Sequence, residues 1–193
     1  VMYRHVFKRL FDIVLSALAI VVLSVPMLVI ALITMADSSG HPLFMQRRSG
    51  RGRKPFVILK FRSLPTDVPG NVPTNELRNV TRSPWQRWLR QTSADELPQL
   101  FNILLGDMSF VGPRPVIPAE CDLIDERDRY GANDVRPGLT GWAQISGRDE
   151  LDYKAKARLD GQYVSHISLA SDMRCLYATF FSVLRQDGVR KEV

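Results

Sequence analysis

A chain of 193 residues has room for one sizeable domain with a small appendage, which argues against a two-domain enzyme. The net charge of +6 suits nucleic acid, anionic lipid headgroups or phosphate-bearing substrates, and composition does not choose among them. The chain has two cysteines and no CxxC pair, which argues against a disulfide framework and a structural zinc site. Its three histidines are scattered, which argues against a His-based metal site and a Ser/His/Asp triad.

The N-terminal region contains an uncharged run from Ile13 to Ala36, which exceeds the roughly 20 apolar residues needed to cross a bilayer. Basic residues lie on both sides of this run, so the positive-inside preference draws both of its ends to the cytoplasm. Pro26 follows Ser24 near the middle, where the missing N–H and the proline ring kink a helix. Residues 1–40 are therefore predicted to form a re-entrant helix that enters one leaflet and returns. A straight spanning helix with a tolerated proline is the alternative that these signals leave open.

Residues 41–193 are predicted to form one further domain that works with the membrane helix as one unit. Two segments, Leu43–Arg48 and Phe56–Phe61, alternate as short strands around a Gly50-Arg51-Gly52 turn, which predicts a β-hairpin. Residues 64–80 are rich in Pro, Asn, Thr and Gly, and this composition is typical of a loop.

Helices are predicted for much of the remaining chain. Ser83 followed by Pro84 marks a helix start, and Trp85 and Trp88 on that helix suit either a membrane interface or the core. Helical patterns also cover Leu97–Leu105, Asp149–Gln162 and Leu169–Leu184. The last of these carries an apolar stripe that suits core packing or a second membrane contact. The predicted fold class is α+β: mostly helical with a small β-hairpin, an N-terminal re-entrant membrane helix and interfacial amphipathic helices.

Two adjacent carboxylates, Asp95 and Glu96, stand at the predicted start of a helix. Thr92 and Ser93 each precede an acidic residue by three positions, so a capping box with acidic residues near the helix dipole is one interpretation. The other interpretation is a catalytic or metal-binding pair, which the surrounding excess of arginine favours.

Three arginines lie on irregular backbone that proline or glycine interrupts, namely Arg114, Arg136 and Arg148. Prolines on both sides of Arg114 stiffen its loop, and rigid guanidiniums suit bidentate recognition of phosphate. An ordinary surface arginine is the alternative for each one taken singly. Carboxylates and fixed guanidiniums together suit phosphoryl transfer, with a carboxylate as nucleophile or metal ligand. Magnesium is the expected ion, because substrate phosphates supply part of the oxygen shell of Mg2+.

The chain also contains a series of longer motifs, which run in the order Lys8-Arg9-x-x-Asp12, the apolar run with Ser24 and Pro26, Pro42-x-Phe44-x-Gln46-x-Arg48-x-Gly50, Lys60-Phe61-Arg62-Ser63, Asp95-Glu96-Leu97-Pro98-Gln99-Leu100, Gly106-Asp107-Met108-Ser109-Phe110-Val111-Gly112-Pro113-Arg114-Pro115 and Arg136-Pro137-Gly138-Leu139-Thr140-Gly141-Trp142-Ala143-Gln144. In this order they resemble the motifs of the monotopic phosphoglycosyl transferases, also called bacterial sugar transferases. The resemblance covers nearly the whole chain and is closest to the minimal, single-domain form of that family.

The resemblance implies a covalent mechanism in two steps. Asp95 would be the nucleophile and Glu96 its Mg2+-binding partner. Asp95 would attack the β-phosphate of a UDP-sugar and release UMP, and polyprenyl (undecaprenyl) phosphate would then take the phosphosugar. By the same resemblance, the candidates for holding phosphates are Lys60, Arg62, Arg90, Arg114, Arg136 and Arg148. Asp160 matches an acidic position in the family's Asp-x-x-Tyr element, which ends here at Tyr163.

The resemblance also implies a setting for this chemistry. Residues 41–193 would be the catalytic domain on the cytoplasmic face of the bacterial inner membrane, with membrane lipids and no nucleic acid as partners. The reaction would be the first membrane step of glycoconjugate synthesis, including polysaccharide synthesis. Two alternatives are a non-catalytic, membrane-tethered module that binds acidic lipid or polyanion, and a metal-dependent glycosyltransferase that releases UDP.

Overall fold

The computed structural model describes residues 3–39, 41–68, 80–147 and 151–185. These ranges are mostly helical and contain two sheets of two strands each, in agreement with the predicted α+β class. A π-helical turn, Tyr3–Phe7, precedes the first helix. The regular elements in chain order are α1 Lys8–Asp37, β1 Leu43–Ser49, β2 Pro55–Phe61, α2 Pro84–Gln91, α3 Gln99–Leu105, β3 Ser109–Val111, α4 Cys121–Asp128, β4 Gly138–Thr140, α5 Trp142–Ile145, α6 Tyr153–Ser165 and α7 Leu169–Arg185. Arg148 and most of the predicted 64–80 loop lie outside the described residues.

Helix α1 buries one stripe and exposes the rest of its apolar surface. The buried residues recur at helical spacing along one face and are Asp12, Ser16, Met27, Ile30 and Thr34. The exposed apolar residues include Val14, Leu18, Val21, Val25, Leu28 and Leu32. The helix is long and apolar enough to cross a membrane, as the uncharged run in the sequence predicts.

Both ends of α1 contact the same folded domain. Near the start, the guanidinium of Arg9 donates to two carbonyls at the end of α3, at 2.6 and 2.8 Å. Near the end, Nε1 of Trp85 donates to the hydroxyl of Thr34 at 3.0 Å. The helix continues through Pro26. Because proline has no backbone N–H, the carbonyl of Val22 lacks its helical hydrogen-bond donor. The re-entrant path of this helix through a leaflet stays a prediction.

The β-hairpin forms where the alternating pattern predicts it. Strands β1 and β2 pair antiparallel, from Leu43 opposite Phe61 to Ser49 opposite Pro55. Gly52 in the connecting turn has a φ of +62°, in the left-handed region that favours glycine.

Helix α2 begins at the predicted Ser83-Pro84 pair. The Ser83 hydroxyl accepts from the Gln86 amide at 3.1 Å, and the Gln86 side chain accepts from the Ser83 amide at 3.3 Å, which completes a capping box. The two tryptophans of this helix differ in burial. Trp85 packs against the core, whereas Trp88 is 44% exposed, and their rings stack with centroids 4.8 Å apart.

The C-terminal helices form with shifted boundaries. Helix α6 begins later than the predicted Asp149, because the Asp152 carboxylate caps it by accepting from the Ala155 amide at 2.7 Å. Helix α7 buries Asp172 and Cys175 on one side. On its other side it exposes Leu169, Met173, Tyr177 and Phe180. Helix α7 is therefore amphipathic with a solvent-exposed apolar face.

A second sheet, which sequence patterns do not predict, pairs β3 and β4 in parallel. Ser109 lies opposite Gly138, and Val111 lies opposite Thr140. Strands of three residues between Gly- and Pro-rich segments are too short to show an alternating pattern.

This sheet depends on a close backbone approach at Gly138. A Cβ at Gly138 would overlap backbone atoms of Gly112 and Thr140, which cannot rotate away as a side chain would. We expect Gly138→Ala to lower the free energy of unfolding by about 3 kcal/mol, at the upper end of typical overpacking losses. Gly52→Ala, whose Cβ would meet no atom within 4 Å, should cost only the left-handed backbone penalty of about 1 kcal/mol. Thermal unfolding of both variants tests this order, and an equal or smaller loss for Gly138→Ala would contradict it.

Candidate active site

Asp95 and Glu96 lie on a 3-10 turn, Ala94–Glu96, between α2 and α3. Ser93, just before this turn, has a φ of +56°, which is uncommon for a residue other than glycine. Its side chain makes no capping hydrogen bond, and the Thr92 hydroxyl donates instead to the Trp88 carbonyl at 2.8 Å. The capping-box interpretation of this segment is therefore wrong. Strained backbone of this kind is concentrated at functional sites.

Asn102 on α3 fixes this segment against β2. Its side-chain oxygen accepts from the Leu59 amide at 3.0 Å, and its side-chain nitrogen donates to the Val57 carbonyl at 2.8 Å. The side-chain amide thereby takes the place of a neighbouring strand. This contact brings Lys60 of β2 next to the turn that precedes α3.

Glu96 is held by two cations. Nζ of Lys60 lies 2.7 Å and Nη2 of Arg114 lies 3.4 Å from the same oxygen, Oε1. Burial alone would raise the pKa of Glu96, but the charges and hydrogen bonds of Lys60 and Arg114 hold this pKa at about 2. Glu96 is therefore ionised at neutral pH.

Asp95 is 8% exposed and accepts a hydrogen bond from the Ser63 hydroxyl at 3.1 Å, through Oδ2. Burial raises the pKa of Asp95 above its ordinary value, against the opposing charge of Lys60, and the neighbouring charge of Glu96 raises it further. Arg90 lies close enough to lower this pKa in part. A carboxylate removed from water in this way is a stronger nucleophile than an exposed one.

The two carboxylates fit a magnesium ion. In the described part of the chain, hydrogen bonds reach only Oδ2 of Asp95 and Oε1 of Glu96, so the other oxygen of each is open. No group of three or more His, Cys, Asp or Glu side chains that could hold a metal occurs among the described residues. Mg2+ commonly binds one or two carboxylates and completes its shell with water and substrate phosphates. The residues present match that mode of binding.

The remaining predicted phosphate ligands differ in their surroundings. Arg62 follows β2, and its Nε donates to the His41 carbonyl at 3.2 Å, while its guanidinium lies 5.8 Å from the Phe44 ring centroid. These contacts direct Arg62 toward the base of the hairpin. Nε of Arg136 donates to the Gly106 carbonyl at 2.8 Å, at the far end of α3.

Asp160 lies in the interior. It is 1% exposed and accepts from Nε and Nη2 of Arg127 at 2.8 and 2.7 Å. Direct contact with a substrate would require this buried pair to open. The contacts of Asp160 with Arg127 thus lie in the interior of the domain, and a role for Asp160 in substrate binding stays a prediction.

Two arginines that sequence patterns did not single out hold the loop that carries Arg114. Nη1 of Arg127 donates to the Arg114 carbonyl at 2.9 Å, and Nη1 of Arg48 donates to the Pro115 carbonyl at 3.3 Å. Burial and the charge of Arg114 lower the pKa of Arg48 to about 10. Arg48 belongs to the Gln46-x-Arg48-x-Gly50 motif, so the sequence contained a signal that could have identified it. Arg127 lies in a helix without any such motif.

Removing the charge at Lys60 should change the pH dependence of activity. Lys60 lowers the pKa of both Asp95 and Glu96, so in Lys60→Met both carboxyls stay protonated to a higher pH. We expect the acid limb of the kcat profile to move upward by at least about one pH unit. Lys54→Met, at an exposed position after the hairpin turn, serves as the control. An unchanged acid limb in Lys60→Met would contradict the assigned ion pairs.

Comparisons with known proteins identify the family of the chain. The family model described as bacterial sugar transferase matches residues 3–186. The chain is 38% identical to the UDP-galactose-lipid carrier transferase of Erwinia amylovora, over 94% of this chain and 41% of that protein. It is 36% identical to the Undecaprenyl-phosphate galactose phosphotransferase of Salmonella typhimurium, over 94% of this chain and 41% of that protein. It is 40% identical to the Exopolysaccharide production protein PSS of Rhizobium leguminosarum, over 93% of this chain and 96% of that protein.

The chain thus spans about two fifths of the Erwinia and Salmonella proteins and almost all of the Rhizobium protein. The family model covers the apolar helix, the hairpin and the turn with the paired carboxylates in a single match. The chain therefore belongs to the bacterial sugar transferase family.

Proposed function

We propose that this protein transfers a sugar 1-phosphate from a UDP-sugar to polyprenyl phosphate through a covalent intermediate on Asp95. The observation that supports the proposal is the setting of Asp95, a buried carboxylate near Lys60 and Arg90 and beside ionised Glu96, which Arg114 also contacts. Cations in this position neutralise phosphate oxygens that would otherwise repel a carboxylate nucleophile. The names of the Erwinia and Salmonella relatives, a lipid carrier transferase and a phosphotransferase, support the same reaction class.

In the first step, a carboxylate oxygen of Asp95 attacks the β-phosphorus of the UDP-sugar. A bond forms between that oxygen and phosphorus, and the bond to the bridging oxygen of the diphosphate breaks. UMP leaves with the bonding electron pair, and Asp95 keeps the sugar phosphate as an acyl phosphate. The Ser63 hydroxyl orients the carboxylate by donating to Oδ2, and Lys60 and Arg114 neutralise the charge that gathers on the phosphates.

In the second step, a phosphate oxygen of polyprenyl phosphate attacks the same phosphorus. The bond between phosphorus and Asp95 breaks, and the carboxylate is regenerated. The product is a polyprenyl diphosphate sugar. Splitting the transfer in this way lets each substrate meet the same residues in turn, which is the general advantage of covalent catalysis.

We propose Mg2+ as the ion that reduces the repulsion between the negatively charged donor phosphates and the two carboxylates. Asp95 and Glu96 would hold it through their open oxygens, with donor phosphates as further ligands. When bound, Mg2+ would neutralise the diphosphate and make UMP a better leaving group.

We propose a re-entrant path for α1, which its contacts support. Arg9 and Thr34 bond to the same domain from opposite ends of the helix, so a perpendicular crossing would draw that domain into the bilayer. A helix that enters and leaves by one face keeps Asp95 at the surface where a lipid phosphate is presented. The exposed face of α7 and Trp88 suit contact with that surface. Basic residues at both ends of α1 favour the cytoplasmic side of the bacterial inner membrane.

The path of α1 has its own test. A cysteine introduced at His41 should react with an impermeant thiol reagent only from the cytoplasmic side. Labelling from the outside alone would contradict the re-entrant path and leave the chemistry at Asp95 untouched.

The nucleotide product tests the proposed reaction. Purified protein is incubated with a UDP-sugar, polyprenyl phosphate and Mg2+, and the released nucleotide is identified. We expect UMP in an amount equal to the polyprenyl diphosphate sugar formed. UDP as the product would favour transfer of the sugar without its phosphate, and no nucleotide release with any of several UDP-sugars would favour a binding module.

A further inference from the structure

The start of α1 lines a second cationic cavity, of about 100 Å³, which we term the α1-entry cavity. Its basic lining residues come from the first turns of the chain, the hairpin turn and the segment before β4, and are Arg4, Lys8, Arg9, Arg51 and Arg136. Arg9 and Arg136 both donate to carbonyls at the C-terminal end of α3. Asp95 precedes the opposite end of α3, so roughly 15 Å of helix and turn separates it from this cavity.

The α1-entry cavity has an excess of positive charge. Its two lining carboxylates are Asp12, which accepts from the Ser109 hydroxyl and the Phe110 amide, and Asp134. Lys8 is neutralised by Asp172 at 2.6 Å. Within the described ranges, none of the four arginines that line the cavity forms an ion pair with a carboxylate. A concave site where guanidiniums outnumber carboxylates attracts an anion.

We infer that the α1-entry cavity binds the phosphate group of an anionic membrane lipid. The cavity opens just before the apolar stretch of α1, whose exposed large side chains include Val14 and Leu18, so it would lie at the depth of the lipid headgroups. The planar guanidinium of arginine can donate two hydrogen bonds to one phosphate group. A headgroup with a net negative charge carries no cation of its own that the basic cavity would repel. This inference rests on the membrane contact proposed above.

The lipid at this site is distinct from the acceptor of the proposed reaction. Bond formation needs reacting atoms within about 3.5 Å of each other, and the cavity is several times farther than that from Asp95. A lipid phosphate held here would instead fix the entry of α1 at the membrane surface, because Arg9 joins the helix start to α3 and Arg51, on the same cavity, joins the hairpin turn to the Asp134 carbonyl.

Lipid retention by the full chain tests this inference. The detergent-solubilised protein is titrated with phosphatidylglycerol or phosphatidylcholine, and bound lipid is counted by native mass spectrometry. We expect one phosphatidylglycerol to bind at least tenfold more tightly than phosphatidylcholine. In the double variant Arg4→Gln/Arg51→Gln, which changes two exposed side chains, phosphatidylglycerol binding should weaken at least tenfold.

A control with the same charge change separates this site from general attraction to anionic lipid. Lys154→Gln/Arg129→Gln removes two exposed cations outside the cavity lining and should bind phosphatidylglycerol like the unmodified chain. Equal weakening in both variants, or no lipid preference, would overturn the inference. Competition by inorganic phosphate without any preference between the lipids would indicate a free-phosphate site and would overturn it too. UMP release is measured in the same detergent. If UMP is still released when the lipid-binding result fails, the failure concerns this cavity and not the proposed reaction.

Discussion

Asp95→Asn should abolish turnover, with a loss of at least about 10,000-fold in kcat, while the protein remains folded. Asparagine keeps the size of the side chain and can still accept from the Ser63 hydroxyl, but its amide cannot form the acyl phosphate. The fold should tolerate the change, because burial and the charge of Glu96 already oppose ionisation of Asp95. Thermal unfolding and UMP release are measured on the same preparation.

Asp122→Asn is the matched control, since Asp122 is an exposed carboxylate on α4. It should retain full activity. If Asp95→Asn kept a tenth or more of the activity of the unmodified chain, the nucleophile would have to be another group.

Asp160→Asn should lower the free energy of unfolding by about 3–5 kcal/mol. The substitution leaves Arg127, which is 5% exposed, without its counter-charge in the interior. A loss of this size in a chain of 193 residues lowers the midpoint of thermal unfolding by about 10 °C. It should also loosen the loop of Arg114, since Arg127 donates to that residue's carbonyl, and raise the KM for the UDP-sugar.

Replacing both members of this ion pair distinguishes a positioning role from substrate contact. Arg127→Met/Asp160→Leu should recover most of the stability, because Oδ1 of Asp160 has no hydrogen-bond partner among the described residues and the pair is incompletely satisfied. The raised KM should persist, since methionine at position 127 cannot donate to the Arg114 carbonyl. A fully stable Asp160→Asn with impaired donor binding would instead indicate direct substrate contact by Asp160.

Elements with local signals were predictable from the sequence. The hairpin has alternating strands and a Gly-containing turn, and α2 has a Ser-Pro start, so short stretches of sequence specify each of them. The parallel pairing of β3 with β4 was not predictable, because its strands of three residues lie more than 20 residues apart. The close backbone contact between Gly112 and Gly138 fixes that pairing, and no local sequence pattern predicts this contact.

The candidate site was predicted in part. The neighbouring pair Asp95 and Glu96 stood out as adjacent charges. Lys60 and Arg114, which the family resemblance named as phosphate ligands, both contact Glu96, and their role toward phosphate stays a prediction. Arg136 belongs to a different cavity, and sequence alone gives no distance between loops. Arg48 and Arg127 act through backbone carbonyls of the Arg114 loop, a long-range contact that residue type does not reveal.

The covalent step can be observed directly by mass spectrometry. The protein is mixed with a UDP-sugar and Mg2+ without any lipid acceptor, quenched in acid within seconds, digested and analysed. We expect the peptide containing Asp95 to gain the mass of one sugar phosphate, and polyprenyl phosphate to remove this adduct when added before the quench. UMP release without any adduct on this peptide, or an adduct on a different residue, would contradict the covalent step.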